Sequence, residues 1–214
     1  MCPTTPSTEM TTAFPLLRLP YLVLMPILEQ MEFMDRITLS VLSKRARMFV
    51  KLLKMKCNHI NLTLKLGTIK MQVCFDNREE LKVNMYIHKY KVDLRYGNDH
   101  ISWWPGLPPM HYVLPIMDVT HCNSIKQFIV GRVCEYDTLP ILAKLQKINE
   151  VIVEDSISYS FSPESPLENV LKNVLPVSSA VTISADADKA KYLREIFKGN
   201  FVAVTVRGLI QVAP

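Results

Sequence analysis

The pattern of apolar and polar residues changes twice along the chain. From about residue 14 to residue 56 the apolar residues recur at spacings of three and four, which predicts helices. The first helix lies in "LPYLVLMPILEQM", residues 19–31, which is almost wholly apolar until Glu29 and Gln30. A helix on the surface of a globular domain keeps one polar face. The sequence therefore predicts that this helix has two apolar faces and that something covers the second.

The segment after Cys57 has the period of strands. "INLTLKL" and "IKMQVCF" alternate apolar and polar residues and predict two strands joined by a turn at Gly67. "LKVNMYIHKYKVDLRY" continues the period of two. Residues 96–112 are dense in Gly, Pro, Asn and Asp, and they predict a loop that carries Trp103 and Trp104.

From about residue 110 short apolar strands alternate with helical segments. Strands are predicted at 125–130, 150–155, 180–185 and 201–207, and helices at 138–146, 166–174 and 187–197. Ser165, Pro166 and Glu168 supply a cap, a first-turn proline and a capping-box acid for the second helix. The centres of successive strands, 22 to 30 residues apart, are Phe128, Ile152, Thr182 and Val204. This spacing favours a solenoid similar to leucine-rich repeats, and an open parallel α/β sheet fits almost as well.

Composition argues against a nucleotide-driven enzyme. The 214 residues are 49% hydrophobic and 21% charged, as in an ordinary folded protein. The six glycines form no Gly-x-Gly turn, and no phosphate-binding loop is present. His111, His121, Cys122 and Cys134 lack the spacings of a zinc site. We therefore expect no catalytic residue, metal or cofactor.

The net charge of +5 is concentrated near the N-terminus. Residues 14–58 hold eight Lys or Arg against three acidic residues. The basic positions 44–56 could contact the phosphates of a nucleic acid, although no aromatic platform accompanies them. Such a set is more often the solvated end of a helix, where positive charge is favourable. Nucleic-acid binding is kept as a rival hypothesis.

The cysteines and the first residues predict an intracellular compartment. Five cysteines at scattered spacings, with no Cys-x-x-Cys, indicate free thiols. Residues 1–13 are small and polar, which predicts a disordered tail and no signal peptide. The densest apolar run, 14–28, spans only fifteen residues, whereas a membrane helix needs about 20. We expect a cytoplasmic or nuclear protein that is not secreted.

The segment "LPYLVLMPILEQMEFMDRITLSVLSKRARMFV", residues 19–50, resembles an F-box. The resemblance rests on Leu-Pro, on the Ile27-Leu28 pair, on the Ile-x-Leu-Ser stretch from Ile37 and on the Ser-Lys-Arg from Ser43. The resemblance extends from Phe14 to about Lys54, about a fifth of the chain. Phe33 stands where the pattern usually has Pro, and Ala46 where it often has an aromatic residue.

The resemblance implies a partner and a role. F-box modules dock through three helices onto the Skp adaptor, and through it onto a cullin, in SCF ubiquitin ligases, which would explain what covers the second apolar face. The residues implied to bind the adaptor are Leu19, Pro20, Val23, Leu24, Ile27, Leu28, Met31, Ile37, Leu39, Leu42, Ser43 and Lys44. "FPLLRLP" and "SKRA" look like the nematode-expanded F-box families, in which an F-box-associated domain presents substrates. The alternatives are nucleic-acid binding and an F-box protein that no longer recruits a target.

The expected architecture is therefore α+β with two modules. An F-box, residues 14–56, is followed by an α/β domain, 60–214, with strand hairpins and a leucine-rich-repeat-like alternation of strands and helices. That domain would bind an unknown target protein, with Trp103 and Trp104 as candidate contacts. Because no polar capping element follows the last strand, we expect the domain to be C-terminally truncated or to end atypically.

Overall fold

The N-terminal region of the chain is helical in the computed structural model. The structure describes residues 16–104, 108–131, 144–145, 147–154, 166–184 and 203–207. A 3-10 turn, Leu16–Arg18, precedes three helices, α1 (Tyr21–Gln30), α2 (Phe33–Leu42) and α3 (Lys44–Leu52). The prediction of three N-terminal helices is confirmed.

The ends of these helices follow from local chemistry. Pro20 precedes the first helical residue, and its carbonyl oxygen accepts hydrogen bonds from the N–H groups of Val23 and Leu24. Pro26 lies inside α1, where it contributes no N–H to the helix. Ser43 caps α3, since its hydroxyl oxygen accepts a hydrogen bond from the Ala46 N–H at 3.2 Å.

The described strands form one nine-stranded sheet. They are β1 (Cys57–Lys65), β2 (Thr68–Phe75), β3 (Glu80–Tyr86), β4 (Lys91–Tyr96), β5 (Asp99–Trp103), β6 (Ile125–Val130), β7 (Ile148–Glu154), β8 (Ser178–Ser184) and β9 (Ala203–Arg207). The order across the sheet is β5-β4-β3-β2-β1-β6-β7-β8-β9. The first five strands are an antiparallel meander, and β6 to β9 continue from β1 as parallel strands. The predicted α+β class and the strand hairpins are confirmed; of the helices predicted between the later strands, only the one at 166–174 lies wholly within the described residues.

The parallel strands are stacked in sequential order. Leu62 pairs with Phe128, Phe128 with Val151, and Val151 with Val181. Sequential order without a reversal fits a solenoid-like arrangement and not a doubly wound sheet. Ile152 and Thr182, two of the residues named as strand centres, align with Ile129, the residue after Phe128. One residue moves a side chain to the other face of a strand.

One further correction concerns the predicted loop at 96–112. Residues 99–103 form β5, which pairs with β4 through a two-residue turn at Gly97 and Asn98. Gly97 has φ 57°, a conformation that glycine adopts at little cost, so the chain reverses tightly there. The predicted helix at 166–174 is confirmed as α5 (Pro166–Val174). The predicted helix at 187–197, most of the one at 138–146, and the capping residue Ser165 lie outside the described residues.

Helices cover one face of the sheet. The side chains buried there come from most of the strands and include Ile60, Leu62, Phe128, Val151 and Val181. A short helix, α4 (Val113–Val119), contributes further buried residues to the same core, as does α5. Helix α2 packs against α4 and β4, so the N-terminal helices and the sheet are in contact.

Candidate functional site

Helix α1 has two apolar faces, and only one of them is used inside the chain. Leu24, Met25 and Leu28 are buried in a small core of their own with residues of α2 and α3. On the opposite side Leu22 is 82% exposed and Val23 is also exposed. Pro26 is exposed and Ile27 half-buried, so the stripe continues along the helix. The second apolar face predicted from the sequence is therefore open to solvent.

Helices α2 and α3 expose further large apolar side chains. Met48 is 70% exposed and Leu52, one turn later on α3, is also exposed. The Tyr21 ring lies 6.4 Å from the Phe49 ring, which links the start of α1 to α3. We name these exposed residues the apolar face: Tyr21, Leu22, Val23, Leu42, Met48 and Leu52. Large exposed apolar side chains in this number on one small module are typical of an interaction surface.

The structure divides the twelve residues predicted to bind a partner into two groups. Leu24, Leu28 and Ile37 are fully buried, so they hold the helices together and offer no surface. The exposed or half-buried members are Leu19, Pro20, Val23, Ile27, Met31, Leu39, Leu42, Ser43 and Lys44. Of the half-buried ones, Leu19, Met31 and Leu39 pack on the core of α1. Four members of the apolar face were missed by the sequence prediction: Tyr21, Leu22, Met48 and Leu52.

Two of the basic residues near α3 are engaged within the chain. The Arg47 Nε donates to the Ser40 carbonyl oxygen at 3.2 Å. The Lys51 ammonium lies 2.5 Å from a carboxylate oxygen of Asp118, in a pair that is nearly half exposed. Lys44, Arg45 and the lysines after α3 are exposed. Some of the basic residues therefore make contacts within the chain, and others are exposed to solvent.

Contacts with β2, with β4 and with the segment after α4 hold the helices in place. Phe33 stacks on Tyr96, with ring centroids 4.2 Å apart, and meets the Phe75 ring edge-on at 5.2 Å. Just beyond α4, the His121 ring nitrogen Nε2 hydrogen-bonds the Lys51 carbonyl oxygen at 2.7 Å. The apolar face is therefore carried by helices anchored to the sheet at two separate places.

The two candidate tryptophans have different surroundings. Trp103, the last residue of β5, is half-buried and packs edge-to-face against Tyr112 at 5.8 Å. Trp104 is 73% exposed. Only Trp104 of the two is presented as a free aromatic surface, and it lies at the edge of the sheet because β5 is an edge strand.

The sheet face opposite the helices is polar. Glu150 accepts hydrogen bonds from Gln127 at 3.2 Å and Thr182 at 2.6 Å, across three parallel strands. Further along, Ser102 donates to Asp93 at 2.6 Å. Burial raises the pKa of the Asp93 carboxyl, but hydrogen bonds from Ser102 and Lys91 outweigh it and hold that pKa below its usual value. These side chains form a preorganised polar surface.

Within the described residues no group of three or more His, Cys, Asp or Glu side chains is arranged to hold a metal ion.

No helix among the described residues is both long enough and apolar enough to cross a membrane.

Comparison with known proteins identifies the helical module. Residues 16–58 match the family model of the F-box domain. No curated protein and no solved structure matches the chain. The matched segment begins at the 3-10 turn before α1 and ends at the start of β1, so it contains all three helices and the whole apolar face. The resemblance to an F-box is confirmed: residues 16–58 of this chain form an F-box domain.

Proposed function

We propose that this chain is a substrate-recruiting adaptor of an SCF-type ubiquitin ligase. F-box domains generally bind the Skp subunit of such complexes, and an F-box domain indicates an adaptor role. The observation that carries the proposal is the open second face of α1, with Leu22 and Val23 exposed while Leu24 and Leu28 fill the internal core. Docking of the Skp subunit on the apolar face would remove this surface from water.

The sheet domain is proposed to hold the target protein. Its polar face and Trp104 are the surfaces that support this role. The chain would act without chemistry of its own, in the cytoplasm or nucleus, by raising the effective concentration of the target near the ubiquitin-charged enzyme. The contacts of Phe33 and Lys51 support a fixed distance between the two docking surfaces. We also propose that the chain is related to the nematode-expanded F-box families. The sheet domain would then correspond to their F-box-associated domain.

Complex formation is expected with the full chain and a purified Skp subunit. The two should co-elute from a size-exclusion column, and the Kd should change by less than about threefold between 50 and 200 mM salt, because apolar contacts dominate. A protein that binds nucleic acid through six to ten phosphate contacts loses roughly 10³–10⁵ in affinity over that range. Absence of co-elution at tens of micromolar, together with salt-sensitive binding of a DNA or RNA duplex, would support the rival hypothesis.

A further inference from the structure

Strand β5 is a regular strand at the edge of the sheet. It pairs with β4 on one side, and no strand in the described part of the chain pairs with its other side. Natural proteins often protect such an edge with lysine, proline or a bulge, which keep other chains from pairing there. Residues 99–103 include no lysine or proline, and their register with β4 is continuous. The outer side of β5 is therefore suited to pairing with a further strand.

The backbone of β5 offers two residues for such pairing. The turn at residues 97–98 has two residues, so Tyr96 and Asp99, which flank it, exchange both of their backbone hydrogen bonds. Along an antiparallel strand, residues bonded to the neighbour alternate with residues whose backbone groups point away from it. The N–H and C=O groups of His100 and Ser102 therefore point away from β4. An added strand could bond to all four groups.

We propose that β5 binds an extended segment of the target protein, which joins the sheet as a further strand and places acidic side chains on its polar face. The inference rests on the target-holding role proposed for the sheet domain and names the edge that holds the target. Addition of a strand to a sheet edge is a recurring mode of peptide recognition. Backbone hydrogen bonds supply the affinity, and alternate side chains supply the specificity.

A row of basic side chains beside this edge predicts the acidic character of the segment. Lys82, Arg95 and His100 are cross-strand neighbours on β3, β4 and β5. Lys82 pairs with Glu80 at 3.4 Å, whereas Arg95 is exposed and forms no ion pair with any described residue. Like charges directly opposite each other in a sheet are unfavourable. An acidic residue opposite His100 would lie two strand spacings, about 10 Å, from the Arg95 backbone, which two long side chains can span.

The acidic residues of β4 and β5 do not neutralise Arg95. Asp93 is buried, accepts a hydrogen bond from the Ser102 hydroxyl at 2.6 Å and lies 3.0 Å from the Lys91 ammonium. Its charge is therefore compensated within the chain. Asp99 lies one residue before His100, so the alternation of side chains along a strand places it on the other face.

The face of β5 that meets the helices favours apolar residues in the segment. Ile101 and Trp103 pack against the main core and are half-buried, so part of each side chain stays exposed. Trp104 follows directly and is 73% exposed. Because side chains alternate between the two faces of a strand, the bound segment is expected to alternate acidic residues with apolar ones such as valine or isoleucine.

Selection from a peptide library tests the proposal. Random twelve-residue peptides displayed on phage are selected against the full chain. We expect the enriched peptides to alternate apolar residues with Asp or Glu over at least five positions. The best peptide is then synthesised with N-methyl groups on alternate backbone nitrogens, in each of the two possible frames. One frame removes the N–H groups that bond to β5 and should weaken binding by at least about tenfold, whereas the other should change it by less than about twofold.

Two pairs of variants locate the binding on β5. His100→Pro removes an outward N–H without removing a hydrogen bond to β4 and should weaken binding of the selected peptide by at least about tenfold. His100→Ala keeps that N–H and should stay within about threefold. Arg95→Glu should weaken binding by about tenfold or more. Lys54→Glu makes the same change in net charge at an exposed position after α3 and should change the Kd by less than about twofold. Fluorescence anisotropy measures each Kd.

Several results would overturn the proposal. They are no enrichment, enriched peptides that are basic or lack alternation, and equal effects of the two N-methylation frames, a comparison that does not depend on any variant folding. A dimer of the full chain in sedimentation velocity that His100→Pro dissociates would also overturn it, because the edge would then pair with a second copy. Binding of the Skp subunit is measured on the same sample, so failure of this inference is distinguishable from failure of the proposed ligase role.

Discussion

Changing Leu22 and Val23 together to aspartate is expected to weaken binding of the Skp subunit by at least about 100-fold. Both side chains are exposed on α1 and contribute little to the internal core. Burying an apolar side chain of this size is worth about 1.5–3 kcal/mol, and a carboxylate buried without a partner adds a cost of its own. The Kd is measured by isothermal titration calorimetry, and Tm by differential scanning calorimetry. Tm should change by less than about 2 °C, because surface substitutions away from special features shift stability by about 0.5 kcal/mol or less.

Leu66→Asp is the matched control for this double variant. Leu66 is also an exposed leucine, but it lies in the β1–β2 turn, at the opposite end of β1 from the helices. Its φ of 49° is one that aspartate accepts more readily than leucine does. Equal loss of affinity in both variants, or a fall in Tm confined to the double variant, would show that the loss does not come from a docking surface on α1.

The second large effect is expected from Phe128→Ala, with a loss of about 3–5 kcal/mol in the free energy of unfolding. Phe128 is fully buried on β6, in register with Leu62 of β1 and Val151 of β7. It therefore packs where the antiparallel meander and the parallel strands meet. Removing the ring leaves a cavity that the surrounding strands can fill only in part. Urea unfolding followed by circular dichroism measures the change.

Ile129→Ala tests whether the face assignment is correct. Ile129 is the next residue on β6, points to the polar face and is half-buried. Its truncation removes less buried surface and should cost about 1 kcal/mol. If Ile129→Ala is as destabilising as Phe128→Ala, the sheet is covered on both faces and the polar face is not available to a target.

The sequence predicted the module and its need for a partner, but not which residues meet that partner. On α1 the positions 22, 23, 26 and 27 form one apolar stripe and 24, 25 and 28 form another. Both stripes have helical spacing, so the pattern cannot tell the inner face from the outer one. Which stripe is internal depends on contacts with Leu39 of α2 and Phe49 of α3. Leu24 and Leu28 were accordingly predicted as contact residues although they are core.

The differences between the predicted strands and the observed ones have similar causes. Strand cores were found from runs of apolar residues, but register depends on hydrogen bonds between strands that such runs do not encode. The apolar runs therefore could not show that Ile152 and Thr182 align with Ile129 and not with Phe128. At β5 the Gly, Asn and Asp residues belong to a two-residue turn, and they hid a strand of five residues.

The departure from the F-box pattern at Phe33 has an explanation in the fold. Its ring packs against Phe75 and Tyr96, which joins the start of α2 to the last residues of β2 and β4. Ala46 is fully buried, so an aromatic ring there would not fit without rearrangement of α3. These partners are 42 to 63 residues from Phe33 in the chain, beyond the range of any local pattern.

The most direct test of the docking role is hydrogen–deuterium exchange of the full chain with and without the Skp subunit. If the apolar face docks the Skp subunit, amides in residues 21–31 and 42–53 should exchange more slowly in the complex, while those in β2 to β5 stay unchanged. Protection confined to the sheet, or no protection at saturating Skp subunit, would contradict the assignment of the apolar face as the docking surface.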